Sequence, residues 1–240
     1  MNELETLKSW VENSNRVVFF GGAGVSTESN VPDFRSQDGL YNMKYDYPPE
    51  TIISHSFYVK NPKEFYRFYK DRMLYPQAKP NPAHLALAKL EREGHLQAVI
   101  TQNIDGLHQA AGSKKVLELH GSVHRNYCTS CGQFYTMEDI LAKEGVPRCS
   151  CGGRIKPDVV LYEESLDAEV ISESLRYISE AEVLIIGGTS LAVYPAAGFI
   201  DYYRGKKLVL INKSETARTC SADLVISRPI GEVMSMFLEE

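Results

Sequence analysis

The sequence predicts an α/β fold, a doubly wound parallel sheet interrupted by a helical insertion and by a small cysteine-rich module. Three observations predict it. Short apolar, β-branched runs end one after another in glycine-rich or polar turns, helix-like stretches separate those runs, and four of the five cysteines crowd into one segment. With 240 residues, 43% of them hydrophobic and 24% charged, the chain is long enough to bury a core. A formal net charge of −5 argues against a surface built throughout to attract nucleic acid or anionic lipid, and no sequence-specific nucleic-acid binding is expected. No apolar run approaches the roughly 18 residues of a membrane span, and the start MNELETLKSW lacks the basic and apolar regions of a signal segment. The expectation is a soluble cytoplasmic protein with no membrane partner.

Taken in order, Leu4, Leu7, Trp10 and Val11 lie on one face of a short helix that Asn13 to Asn15 interrupt. Arg16-Val-Val-Phe-Phe20 reads as a buried strand entering the glycine turn Gly21-Gly-Ala-Gly24. Gln97 to Thr101, Val183 to Ile186, Lys207 to Ile211 and Ala222 to Ile226 repeat that logic, with helices over Ala83 to Glu93 and Leu166 to Ser179 between them. Residues 41–79, rich in tyrosine and phenylalanine, form the helical insertion, with helical spacing from Pro62 to Leu74. Residues 126–154 form the cysteine module, and 1–40, 80–125 and 155–240 make up the main domain. In such a sheet, ligands bind outside the carboxyl ends of the strands.

Cys128-x-x-Cys131 followed by Cys149-x-Cys151 is the pattern of a four-thiolate zinc site. The second pair is one residue short of the usual knuckle, and Gly152-Gly153 supplies the freedom to turn. Four thiolates close the tetrahedron, so a single zinc there is structural, and it stabilises a module with too little apolar material to fold alone. Redox thiols are the other reading of these cysteines. Gly22-Ala-Gly-Val-Ser26 after a strand suits close approach to a pyrophosphate, with a helix expected to begin near Ser26. Thr27 stands where the third glycine of G-x-G-x-x-G belongs, and the Lys-Ser/Thr pair of an ATP-hydrolysing loop is missing. Gln102, Asn103 and Asp105 follow another strand end, where they suit either ribose and carboxamide contacts or a plain helix cap. Spacing alone singles out none of the six histidines as a base.

Together and in order, these pieces resemble the sirtuin family of NAD-dependent protein deacylases. The resemblance rests on Gly22-Ala-Gly-Val-Ser26 with Val31-Pro-Asp-Phe-Arg35, Thr101-Gln-Asn-Ile-Asp105-Gly-Leu-His108, Leu119-His120-Gly121, the cysteine cluster, Lys156-Pro-Asp-Val-Val160, and Gly188-Thr-Ser-Leu191 through Pro195-Ala-Ala197. It spans nearly the whole chain. Two departures stand out. Asn30 replaces the glycine of S-G-I-P, and Leu161-Tyr-Glu-Glu164 replaces the family's F-G-E. In the branch that removes acidic acyl groups a Tyr-x-x-Arg pair grips the carboxylate. The comparable stretch here is Tyr66-Arg-Phe-Tyr69, so the resemblance implies uncharged acyl groups.

The resemblance also implies a Rossmann-like domain binding NAD, one structural Zn2+, and acylated-lysine proteins or peptides as partners. The acyl group would pass to ADP-ribose with release of nicotinamide. His120 and Asn103 are the implied catalytic residues, with His120 the general base on the ribose. The cofactor would be held by Ala23, Gly24, Thr27, Phe34, Arg35, Gln102, Asn103, Ile104, Asp105, His120, Gly188, Thr189, Ser190, Asn212 and Ile230. Val159, Val160, Tyr162 and Val193 would bind substrate, an extended peptide adding as a strand between the segments Val159 to Tyr162 and Thr189 to Tyr194. Two other classes stay open. A dehydrogenase would need an acidic residue about 20 positions past the glycine turn, and Asp46 lies near that distance in a segment that is not strand-like. A sirtuin-like ADP-ribosyltransferase or a non-catalytic NAD sensor would share the same pocket.

Overall fold

Every residue of Val17–Gly21 (β1) is buried, as a strand flanked by two others and covered on both faces requires. The computed structural model describes residues 2–33, 46–213 and 221–239. The chain enters through Glu3–Glu12 (α1), capped by a reciprocal pair in which Asn2 accepts from the Glu5 N–H and Glu5 accepts from the Asn2 N–H, both at 2.9 Å. After β1 come the helices Pro49–Ile52 (α2), His55–Lys60 (α3), Pro62–Arg72 (α4) and Pro82–Arg92 (α5). Leu96–Thr101 (β2), Leu107–Ala110 (α6), Val116–Glu118 (β3), Gly121–Cys128 (β4), Phe134–Tyr135 (β5), Met137–Ala142 (α7) and Ile155–Val159 (β6) follow. Ala168–Glu180 (α8), Val183–Gly187 (β7), Leu208–Ile211 (β8), Leu224–Ile226 (β9) and Ile230–Met234 (α9) complete the described chain. Among the described residues no helix is long and apolar enough to cross a membrane.

Six parallel strands form the main sheet in the order β3-β2-β1-β7-β8-β9. The order runs outward from β1 in both directions, so β1 and β7 flank the point where it reverses. The doubly wound, Rossmann-like expectation is met. One face buries Leu7, Phe19, Leu87 and Ile185 against α1, α5 and α9. The other buries Phe20, Ile100, Ile178 and Ile186 against α8 and the 3₁₀ helix Ala196–Tyr202.

A separate core joins the two segments that break the alternation. Phe65, Tyr66, Phe68 and Tyr69 of α4 pack with Ile140 of α7, Ile155 of β6, and Cys128 and Cys149 of the cysteine module. The Tyr66 hydroxyl donates to the Ile155 carbonyl, and the Arg154 guanidinium lies 5.1 Å from the Tyr58 ring centroid. The helical insertion and the cysteine module thus share one hydrophobic core. Sequence patterning separated them because they lie far apart in the chain and no local period links the aromatics of 41–79 to the few apolar residues around the cysteines.

β4 and β6 pair in an antiparallel sheet of order β5-β4-β6, which begins at Gly121 and ends at Val159, on either side of the cysteine segment. Its tightest point is Gly121, paired with Val159 at φ 73°, where an added Cβ would lie 1.9 Å from the Asp158 carbonyl oxygen. Gly121→Ala is expected to cost about 2 kcal/mol or more of unfolding free energy, read as a lower urea midpoint with unchanged slope. An unchanged midpoint would show that this junction relaxes freely.

Candidate active site

Strand register decides where the polar residues gather. Gly21 pairs with Thr101 on one side and Gly187 on the other, and Gly187 pairs with Ile211. The residues that follow, Gly22, Gln102, Gly188 and Asn212, therefore emerge side by side along one cleft of about 970 Å³. The two glycine turns meet backbone to backbone. The Gly24 N–H donates to the Gly188 carbonyl at 2.8 Å, and a Cβ on Gly188 would lie 2.3 Å from the Val25 nitrogen. Beside them the Gln102 side-chain amide donates to the Thr189 hydroxyl at 3.2 Å.

The helix expected to begin near Ser26 does not form. The turn continues as two 3₁₀ turns, Ala23–Val25 and Thr27–Ser29, in which the Val25 and Ser26 N–H groups bond the Gly22 and Ala23 carbonyls. Asn30 at φ 60° ends the second turn after three residues, so no α-helix N-terminus points into the cleft from here. Asn30 itself takes the left-handed conformation for which asparagine is the tolerated substitute for glycine.

Behind the cleft floor lies a buried polar chain. The Asn103 amide donates to Ser26 Oγ at 3.0 Å, and the Ser26 hydroxyl donates to Asp105 Oδ2 at 2.7 Å. Asp105 Oδ1 also accepts the Leu107 N–H at 2.9 Å. His84 Nε2 lies 3.5 Å from Ser26 Oγ while its Nδ1 accepts the Asn81 N–H at 3.2 Å, so the ring is neutral with its proton on Nε2. Burial, partly opposed by the charge of Asp105, pushes His84 down to about 4. His108, 4.7 Å from His84 between ring centroids, is held well below its ordinary value by burial and by that neighbour.

His120 stands at the turn between β3 and β4. Its Nδ1 donates to the Gln102 carbonyl at 3.0 Å, which leaves Nε2 with a free lone pair. Burial lowers its pKa, and the bond to Gln102 partly restores it. This imidazole is neutral at pH 7, with its basic nitrogen identified by the partner of the other. Arg125 braces the turn, donating to Glu118 just before His120 and to Asp158 just before Val159, each at 2.7 Å. The Val160 N–H in turn bonds the His120 carbonyl at 3.0 Å.

Ala23, Gly24 and Thr27, Gln102 through Asp105, His120, Gly188 through Ser190, Asn212 and Ile230 all border this one cleft, as do Val159, Val160, Tyr162 and Val193. Phe34 and Arg35 lie outside the described residues. The segment expected to accept a peptide strand is not a bare edge. The Tyr162 N–H and carbonyl are paired with Ile53 and His55, and the Leu161 N–H and carbonyl are paired with Glu164. Tyr66 and Tyr69 turn into the insertion core, whereas Arg72, one turn further along, borders the cleft. Sequence reasoning passed over Ser26, His84 and Arg72 as site residues. Ser26 lay inside a quoted motif, but His84 meets its partner across 58 residues and carried no local signal.

The four cysteines Cys128, Cys131, Cys149 and Cys151 bring their sulfurs within 4.8 Å of one another, with contacts of 3.5 and 3.6 Å. A disulfide would need about 2.05 Å. A tetrahedron around Zn2+ at about 2.3 Å per bond has edges near 3.8 Å, so this donor set fits one zinc with no open position. Cys128 and Cys149 are also members of the insertion core.

Two predictions follow from this geometry. Removing the metal with a strong chelator is expected to abolish cooperative melting of the domain built on that core; zinc release without any change in the circular-dichroism melt would contradict it. As pH falls from 6.5 toward 4 the unfolded chain takes up a proton at His84 that the folded chain refuses. Stability therefore falls across that window, by on the order of 3 kcal/mol from His84 alone. A melting temperature that stays level from pH 7 to 4.5 would refute the assignment.

Comparison with known proteins bears on the same residues. The model of the Sir2 family matches residues 22–195. An NAD-dependent protein deacetylase of Clostridium perfringens is 59% identical over 242 residues, covering 99% of each chain. Among solved structures, a Sir2 complex with a p53 peptide and NAD+ is 41% identical with a TM-score of 0.87, covering 99% of this chain and 98% of that one. A Sir2 variant with a deacetylated p53 peptide and 3′-O-acetyl-ADP-ribose is 40% identical with a TM-score of 0.88, covering 97% and 96%.

Proposed function

The chain belongs to the Sir2 family, and on that premise we propose that it is an NAD-dependent protein lysine deacetylase acting on uncharged acyl groups. The observation that carries the reading is His120, a neutral imidazole with its Nδ1 proton held by Gln102, at the cleft that also holds Asn103, Ser26 and Asp105. The residues present suit NAD. The cleft lies at the reversal of strand order, glycine backbone forms part of its wall, and the hydroxyls of Thr189 and Ser190 stand beside it. Relatives bound to NAD+, peptide and acetyl-ADP-ribose support the same chemistry.

Bound NAD supplies the ribose carbon that receives the acyl oxygen as nicotinamide departs. Ala23, Gly24, Thr27, Thr189, Ser190, Asn212 and Ile230 hold the adenosine and phosphate end, with Gly188 setting the turn. Gln102 and Asn103 face the nicotinamide ribose, and Ile104 and Asp105 line the nicotinamide pocket. His120 Nε2 would take a proton from a ribose hydroxyl, while Nδ1 keeps its own proton and donates it to the Gln102 carbonyl. The same reading also assigns Phe34 and Arg35 to the cofactor. Val159, Val160, Tyr162 and Val193 flank the acylated lysine and its peptide. In this reading residues 1–40, 80–125 and 155–240 carry the dinucleotide site, while 41–79 and 126–154, together with Val159 to Tyr162 and Val193 from the 155–240 stretch, shape the substrate side. The cytoplasm suits the protein, since its clustered thiols must stay reduced to hold zinc.

Incubation with an acetyl-lysine peptide is expected to show NAD-dependent deacetylation, with one nicotinamide released per acetyl group lost. His120→Ala should reduce turnover by about a hundredfold or more while NAD affinity stays within about threefold. Because Arg72 borders the cleft, a succinyl-lysine peptide is the decisive comparison for acyl preference. Faster turnover of the succinyl substrate would overturn the preference for uncharged groups, and full activity in the His120 variant would overturn the choice of base.

A further inference from the structure

We propose that Glu163 is a positioning residue for the acylated peptide, latching the substrate-side corner of the cleft to the helical insertion through Ser56. The proposal rests on the deacetylase reading and deepens it on the peptide side. The backbone of Glu163 takes the left-handed conformation that favours glycine, with φ 76°. A glutamate held there is strained, and such a residue persists only where its surroundings hold it.

The compensation is visible in its side chain. Glu163 Oε2 accepts the Ser56 N–H at 2.8 Å and the Ser56 hydroxyl at 2.6 Å. These two bonds, with the nearby charges of His55 and Lys60, hold its carboxyl below the usual range. A glycine at this position would satisfy the backbone and leave both Ser56 donors without this partner. Glutamate at this position therefore gives up conformational ease and gains a tether.

The tether has a defined load. Glu163 sits between Tyr162, whose N–H and carbonyl pair with Ile53 and His55, and Glu164, whose carboxylate binds His55 Nδ1 at 2.8 Å, Lys156 at 3.1 Å and the Leu161 N–H at 2.9 Å. Tyr162, Glu163 and Glu164 all border the cleft. Three consecutive residues thus join the corner to Ile53, His55 and Ser56, and the last of these joints exists only because the side chain at position 163 carries an acceptor oxygen. Fixing the corner fixes where a peptide meets Tyr162 and Val160. The Gly22, Gly188 and Asn212 end of the cleft depends on strand register instead, so the latch acts on peptide and not on NAD.

The test uses the full chain and three variants: Glu163→Ala, which loses the tether and keeps the backbone strain; Glu163→Gly, which loses the tether and the strain; and Glu163→Gln, which keeps an acceptor oxygen. Steady-state kinetics with an acetyl-lysine peptide, and anisotropy of the same peptide carrying a fluorophore, read the peptide side. Glu163→Ala is expected to raise the peptide KM and Kd about fivefold, with kcat and the KM for NAD within about twofold. Glu163→Gly should fall between Ala and the parent chain, and Glu163→Gln should restore near-parental affinity. Parental peptide affinity in both Ala and Gly variants overturns the proposal. So does a parallel loss of peptide and NAD affinity with a lowered Tm, which marks general damage to the fold. A parent chain that neither binds nor turns over the peptide sinks the deacetylase reading itself, a result distinct from either.

Discussion

The cleft depends on two turns approaching more closely than side chains would permit. β1 and β7 end level with one another, and Gly24 and Gly188 bring their backbones together with a direct N–H to carbonyl bond of 2.8 Å. A Cβ on either residue would lie within 2.8 Å of the other turn. Because β2 and β8 are registered to the same row, the residues after all four strands face a common space. Distant parts of the chain, from Gly22 to Asn212, become neighbours through strand register alone.

The second domain obeys a different constraint. The cysteine segment has too little apolar surface to fold by itself, and the aromatic-rich helical insertion supplies most of the core they share. The aromatic face of α4 packs on β6 and α7, and two of the four cysteines are buried in that shared core. Metal binding and hydrophobic burial are consequently coupled, since the thiols that would hold zinc are also core residues. This domain reaches the cleft through Ile53, Arg72, Val159 and the corner at Tyr162, so its integrity bears on the substrate side.

Histidines in one neighbourhood acquire different roles from their partners. His84 lies in the interior with an amide on Nδ1 and Ser26 near Nε2, which makes it a neutral support for the chain linking Asn103, Ser26 and Asp105. His120 is turned by the Gln102 carbonyl so that its basic nitrogen is left for chemistry. His108 has neither ring nitrogen bonded and sits fully buried beside His84. Residue type is the same in all three, and hydrogen-bond geometry separates them.

Local pattern alone was enough to reveal the α/β class, the β1, β2, β7, β8 and β9 strands, the helices α1, α4, α5 and α8, and the four-cysteine set, because period, turn chemistry and ligand spacing are written in neighbouring residues. Motif order likewise marked the residues that border the cleft. The short strands of the small sheet escaped because β4 and β6 mix polar and apolar residues and find each other across the cysteine segment. The expected helix after Ser26 gives way to two 3₁₀ turns that Asn30 ends at φ 60°, beside the close approach of Gly24 and Gly188. Tertiary structure alone decided that the insertion and the cysteine module share a core, that His84 backs Ser26, and that Glu163 answers to Ser56 across 107 residues. Those facts are contacts between distant segments, and chain folding creates them where sequence proximity does not.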